Sequence, residues 1–171
     1  MAAPSIVDGR FWPSMLMLRQ CLCEALASHS PEAKLCWCAV IPGLPDLSGV
    51  VNGKGLAYVR LVGSQRSDGG VQATPGYDPC GEMLVATVEI GVYRCAPVAP
   101  ANKIVAGPAW EATAEQQMSD HAAIQAALCC FRDRLLDEGL DVPMMTGQSA
   151  TQGPEGGVVG LTYTLLMGQA L

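Results

Sequence analysis

The stretch LVATVEIGVY, residues 84–93, decides the fold class. Leu84, Ala86, Val88, Ile90 and Val92 occupy one set of alternate positions, and Val85, Thr87, Glu89, Gly91 and Tyr93 the other. Successive side chains of a strand point to opposite faces, so this strand has one dry face and one mixed face. A sheet that carries helices on one side has that character. The chain must therefore supply helices to cover the dry face and strands to pair beside it.

Both are found by working outward. Downstream, Met118, His121, Ile124, Leu128, Phe131 and Leu135 recur at helical spacing and predict a helix over 111–137. Glu111 and Glu115 suit its positive N-terminal end, and Gly139 is a natural stop. Upstream, Met15, Leu18, Leu22 and Leu26 predict a helix over 13–28. Pro13 would stand at its first position, where the missing N–H costs nothing. Ser30-Pro31 closes it, because a residue before proline leaves the α region. Further strands are predicted over 35–41, 56–62 and 158–167, the last with Val159, Leu161, Tyr163, Leu165 and Met167 on one face. Segments 42–55, 96–110 and 139–157 read as connectors, and 63–81 as a long loop of Gly, Ser, Asp and Pro. The expectation is a single α+β domain over 1–171: a four-stranded, mostly antiparallel sheet with two helices packed on it, in the order α-β-β-β-α-β.

Composition narrows the function classes. Charged residues make up 15% of the 171, against a usual value of about 25%. Either part of the surface is buried against partners, or the composition reflects an Ala- and Gly-rich genome. The net charge of −6 disfavours a nucleic-acid binder, although DNA could slide past such a surface without sticking. The start of the chain lacks the pattern of a signal peptide, and the longest apolar run, 35–41, is far short of a membrane helix. A reducing compartment is therefore expected. The eight cysteines are then read as small buried hydrophobes rather than disulfides, and Cys21-x-Cys23, Cys36-x-Cys38 and Cys129-Cys130 do not have zinc-site spacing.

No catalytic constellation is evident. His121 lies on the apolar stripe of the second helix and reads as a core or interface histidine, while His29 falls at a helix C-terminus. Neither has an obvious nucleophile partner, and no phosphate loop, metal motif or dinucleotide motif is present. Gly-Pro-Glu-Gly-Gly at 153–157 precedes a strand and reads as a turn. No catalytic, cofactor-binding or metal-binding residue is assigned, and no cofactor or enzymatic activity is expected. The charges within apolar strands carry more information: Arg60 and Glu89 sit mid-strand, and Arg94 just past a strand end. They fit a cross-strand pair on a solvated face, or an intersubunit contact that fixes register in a ring.

Four stretches, GLAYVRLVGSQRS at 55–67, CGEMLVATVEIGVYRCAP at 80–97, SDHAAIQAALCCF at 119–131 and GPEGGVVGLTYTLLM at 153–167, resemble the tail terminator (tail-completion) proteins of long-tailed actinobacteriophages. The resemblance implies a virion protein, made in the host cytoplasm, that acts at the head–tail junction. There it would form a homo-oligomeric ring, a hexamer, on the last ring of the tail tube. The ring would end tube polymerisation, with the tail tube protein on one side and the head–tail stopper or connector on the other. DNA would pass the lumen without specific binding, and no membrane or cofactor would be involved. The 63–81 loop is where axial or neighbour contacts would be sought. Alternatives are a different neck protein (stopper or adaptor), a capsid-associated or regulatory binding module, and a small cytoplasmic enzyme or redox protein that uses the cysteines.

Overall fold

The computed structural model describes residues 6–29, 35–47, 50, 55–67, 83–99, 101, 104–140, 142–155 and 157–170. Within them the order is helix α1 (Ile6–His29), strands β1 (Leu35–Ile41), β2 (Gly55–Ser67) and β3 (Met83–Cys95), helix α2 (Gly107–Asp137), and strands β4 (Met144–Glu155) and β5 (Val158–Ala170). The strands form one sheet in the order β1-β2-β3-β5-β4. Every neighbouring pair is antiparallel except β1 and β2, which are parallel. The architecture is α+β with a five-stranded mixed sheet, so the expected four strands are corrected to five.

The added strand is β4, which falls in the stretch expected to be a connector, 139–157. MMTGQSATQGPE has no apolar alternation and contains two glycines and a proline. It becomes a strand because the turn at Gly157, with φ +81°, folds it back along β5. At the sheet edge it needs only one hydrogen-bonded side, so Pro154 is tolerated. Register shifts between Thr146 and Ser149 and between Gln152 and Glu155 interrupt its pairing. Such bulges blunt an exposed edge.

The helices pack together on one face of the sheet. Met15, Leu18, Leu22 and Leu26 of α1 and Ile124, Leu128, Phe131 and Leu135 of α2 meet Leu84, Ala86, Val88, Ile90 and Val92 of β3 in the main core. Met118, expected on that stripe, is instead 71% exposed, because the buried face turns through Asp120 and Ala123. The helix α2 starts four residues earlier than expected, with Pro108 in its first turn and no acidic residue there, so Glu111 lies beyond the end it was expected to cap. It stops as expected: Gly139 has φ +69°, its N–H bonds the Leu136 carbonyl and that of Leu140 bonds the Leu135 carbonyl.

Pro13 lies inside α1 rather than at its start. It removes one helical hydrogen bond, and the buried Phe11 and Met15 on either side anchor the helix across the gap. Strand β2 runs through residues 63–67 of the expected loop, past a register shift between Leu61 and Gly63; residues 68–81 of that loop lie outside the described residues.

The cysteines also depart from expectation. Cys21 is bonded to Cys130 and Cys23 to Cys38, with Cα–Cα distances of 5.8 and 6.0 Å. Residues two apart on a helix point about 200° away from each other. Cys21 therefore meets α2 while Cys23 meets β1. A C-x-C pair on a strand would present both thiols to one face. Cys129 and Cys95 remain thiols, the first exposed and the second near the Val50 carbonyl. Among the described residues, no helix is long and apolar enough to cross a membrane.

Candidate functional site

The face of the sheet away from the helices carries most of the polar side chains of its central strands. One end is closed by a small second core, in which Val50 and Leu47 from the β1–β2 connection cover Leu56, Tyr58, Tyr93 and Val158. Tyr58 stands opposite Gly91 on β3, and Tyr93 stands opposite Gly160 on β5. Each ring lies flat across its glycine, in space that a Cβ would occupy. The two rings are stacked with centroids 6.0 Å apart and planes 10° apart. Aromatic rings laid over cross-strand glycines protect backbone that no side chain of the glycine can cover.

Beyond the rings lie Arg60 and Glu89, directly opposite each other on β2 and β3. Arg60 donates from Nε to Oε1 at 2.7 Å and from Nη2 to Oε2 at 3.1 Å, and the Tyr58 hydroxyl donates to Oε1 at 2.7 Å. Both charged side chains are under a fifth exposed. Burial by itself pushes the Glu89 carboxyl up, but the hydrogen bonds from Arg60 and Tyr58 and the Arg60 charge outweigh it and leave Glu89 below its usual value. Burial and then the carboxylate push the Tyr58 phenol well above its usual range, so it is a fixed donor and no nucleophile. Glu89 in turn raises Arg60.

Past this pair the face opens into a groove of about 720 Å³, between the distal halves of the β2–β3 and β4–β5 pairs. Val62, Ser64, Thr87, Gly147, Thr164 and Leu166 are among its walls. The described residues that line it are all uncharged, and neither histidine is among them, so among the described residues no base stands beside its hydroxyls. His121 is on the helix side, with its ring 6.3 Å from that of Tyr163. Ser119 does reach His29, but through the backbone carbonyl at 2.8 Å rather than the imidazole. No cluster of three metal-ligating side chains occurs among the described residues. The described residues of the site can recognise shape and offer hydrogen bonds.

Of the three charges singled out in the sequence, the structure joins two. Arg60 and Glu89 form the cross-strand pair. Arg94 lies within β3, on the helix side, and is 7% exposed. It crosses Gly55 and binds Asp120 of α2 through Nε and Nη2 at 2.9 and 2.7 Å, while Gln116 donates to the same carboxylate at 3.1 Å. It therefore ties helix to sheet. Asp120 was missed, although its place in line with Ile124, Leu128 and Phe131 marks a carboxylate turned inward that needs a cation. Tyr58 was missed too; its signal was alternation with Leu56 and Arg60 on one face of β2.

No protein-family model matches this chain, and no curated protein gives a significant match.

Proposed function

We propose that the protein is a structural assembly protein of a long-tailed phage: a tail terminator whose copies form a ring, a hexamer, on the end of the tail tube and join it to the head–tail connector. The reading is carried by how the resembling stretches fold. Residues 55–67 are β2, 80–97 contain β3, 119–131 are the middle of α2, and 153–167 contain most of β5. Those three strands are consecutive in the sheet, and the helix packs on the same core. The likeness thus belongs to one contiguous unit.

Capping is steric and asks for interfaces rather than an acid–base pair. The uncharged groove and the low overall charge suit a surface covered by neighbours. Arg60 and Glu89, partly open on that face, remain candidates for fixing register between copies. The net charge of −6 suits a lumen that DNA passes without specific binding.

A stopper or adaptor is the second reading; the 31-residue α2 argues against the stopper, which would be richer in strands. Electron microscopy of lysates from phage with this gene disrupted decides among them. Filled heads beside unattached, abnormally long tails are expected. Free tails of normal length with emptied heads would indicate the stopper, and intact virions would sink the structural reading.

A further inference from the structure

The solvent face of α2 has an unusual distribution of charge. Glu111, Glu115, Met118, Ala122, Gln125, Cys129, Arg132 and Leu136 all lie exposed along it, at alternating spacings of four and three. That is the spacing of a seam between two helices. Between Glu115 and Arg132 the only acidic or basic residue apart from His121 is Asp120, and Asp120 is buried against Arg94. The outward stretch is therefore Met118, Ala122, Gln125 and Cys129, with Met118 71% exposed and Leu136 63% exposed at the far end. An exposed helix of 31 residues ordinarily carries charge along this face to stay solvated.

We propose that two copies of this chain pack antiparallel along this seam. Positions 115 and 132, 118 and 129, and 122 and 125 are placed symmetrically about one midpoint. In an antiparallel two-fold pairing, Glu115 of each copy meets Arg132 of the other, Met118 meets Cys129, and Ala122 meets Gln125. A parallel pairing would set Glu115 against Glu115 and Arg132 against Arg132. Charge complementarity therefore selects the antiparallel arrangement, which also opposes the helix dipoles. Ala122 lets the backbones approach, and the Gln125 amide is already turned to the Tyr163 hydroxyl at 2.9 Å. Arg132 now leans on Asp133 at 3.0 Å with both side chains about 60% exposed, a contact that a neighbouring carboxylate can replace. The seam uses none of Arg60, Glu89 or Arg94, so it stands apart from the ring reading.

The test is sedimentation of the full-length protein through a dilution series. Wild type should associate to a dimer. Arg132→Glu and Glu115→Arg should each weaken association about tenfold or more by facing like charges across the seam. The double variant should recover wild-type association, which only the antiparallel register allows. Independently, Met118→Cys should form a covalent dimer through Cys129 of the second copy when treated with oxidised glutathione. A monomer at every concentration overturns the proposal. So does a dimer or ring indifferent to both charge reversals, which would place the contact on another surface and leave the terminator reading untouched.

Discussion

Arg94 reaches across Gly55 of the neighbouring strand and forks onto Asp120, with its guanidinium nitrogens 2.7 and 2.9 Å from the two carboxylate oxygens. The side chains are 8% and 2% exposed, so this is a buried ion pair that joins β3 to α2. Removing one partner leaves a buried charge without compensation. Asp120→Ala or Arg94→Ala should each cost about 3–5 kcal/mol in urea unfolding. The apolar double replacement Arg94→Met with Asp120→Leu should be less damaging than either single change. Equal, small losses for both single variants would show that water reaches the pair.

Tyr58 and Tyr93 occupy the space over Gly91 and Gly160. Gly91→Ala should therefore destabilise by about 1–3 kcal/mol, since the new methyl must displace a packed ring. The loss should shrink when Tyr58 is first replaced by Ala. A double-mutant cycle by chemical denaturation measures that coupling. Additive losses would mean that the ring moves aside freely.

Glu89 is held below its usual value in the folded protein, so the folded state binds a proton there less readily than the unfolded chain does. Its contribution is complete above the unfolded value of about 4.3 and is lost as pH falls through the folded value. Stability should drop more steeply on the acid side in wild type than in Glu89→Gln, and the two curves should run parallel near neutrality. Thermal melts across an acid pH series check this. Identical acid limbs would show that the Arg60 pair contributes nothing to the linkage.

Both disulfides begin in α1, with loops of 109 and 15 residues in sequence separation. Chain-entropy arithmetic gives about 4.7 kcal/mol for a loop near 100 residues and about 3 kcal/mol for one of 15. Cys21→Ser with Cys130→Ser should therefore lower stability more than Cys23→Ser with Cys38→Ser. The two bonds among the described residues should place the intact mass of the oxidised protein at least four hydrogens below that of the fully reduced chain. Of the thiols Cys95 and Cys129, the exposed Cys129 should react first in the native state. An unchanged mass after reduction would remove both bonds.

Where one periodicity dominated, the chain could be read directly. The alternation of β3 and of β5, the stripe of α1 and the stop at Gly139 are local patterns, and each element formed where its pattern lay. Met118 shows the limit: a stripe three to four residues apart names the members of a helix face only to within its width, and the core turned toward Asp120. Arg60 and Glu89 were legible as charges in apolar strands, but their pairing depends on the β2–β3 register. Strand β4 was illegible because an edge strand needs only one partner and no apolar side.

The sequence by itself determined an α+β class, two helices, and strands β1, β2, β3 and β5, because hydrophobic period is a local property of the chain. Only the tertiary structure decided the rest: a fifth strand recruited by hydrogen bonds, Tyr58 and Tyr93 laid over distant glycines, Arg94 spent on Asp120, and Cys21 and Cys23 sent to different partners. Apart from the β4–β5 hairpin, each of these is a contact between segments separated in the chain, and its energy exists only once the sheet and helices have brought them together.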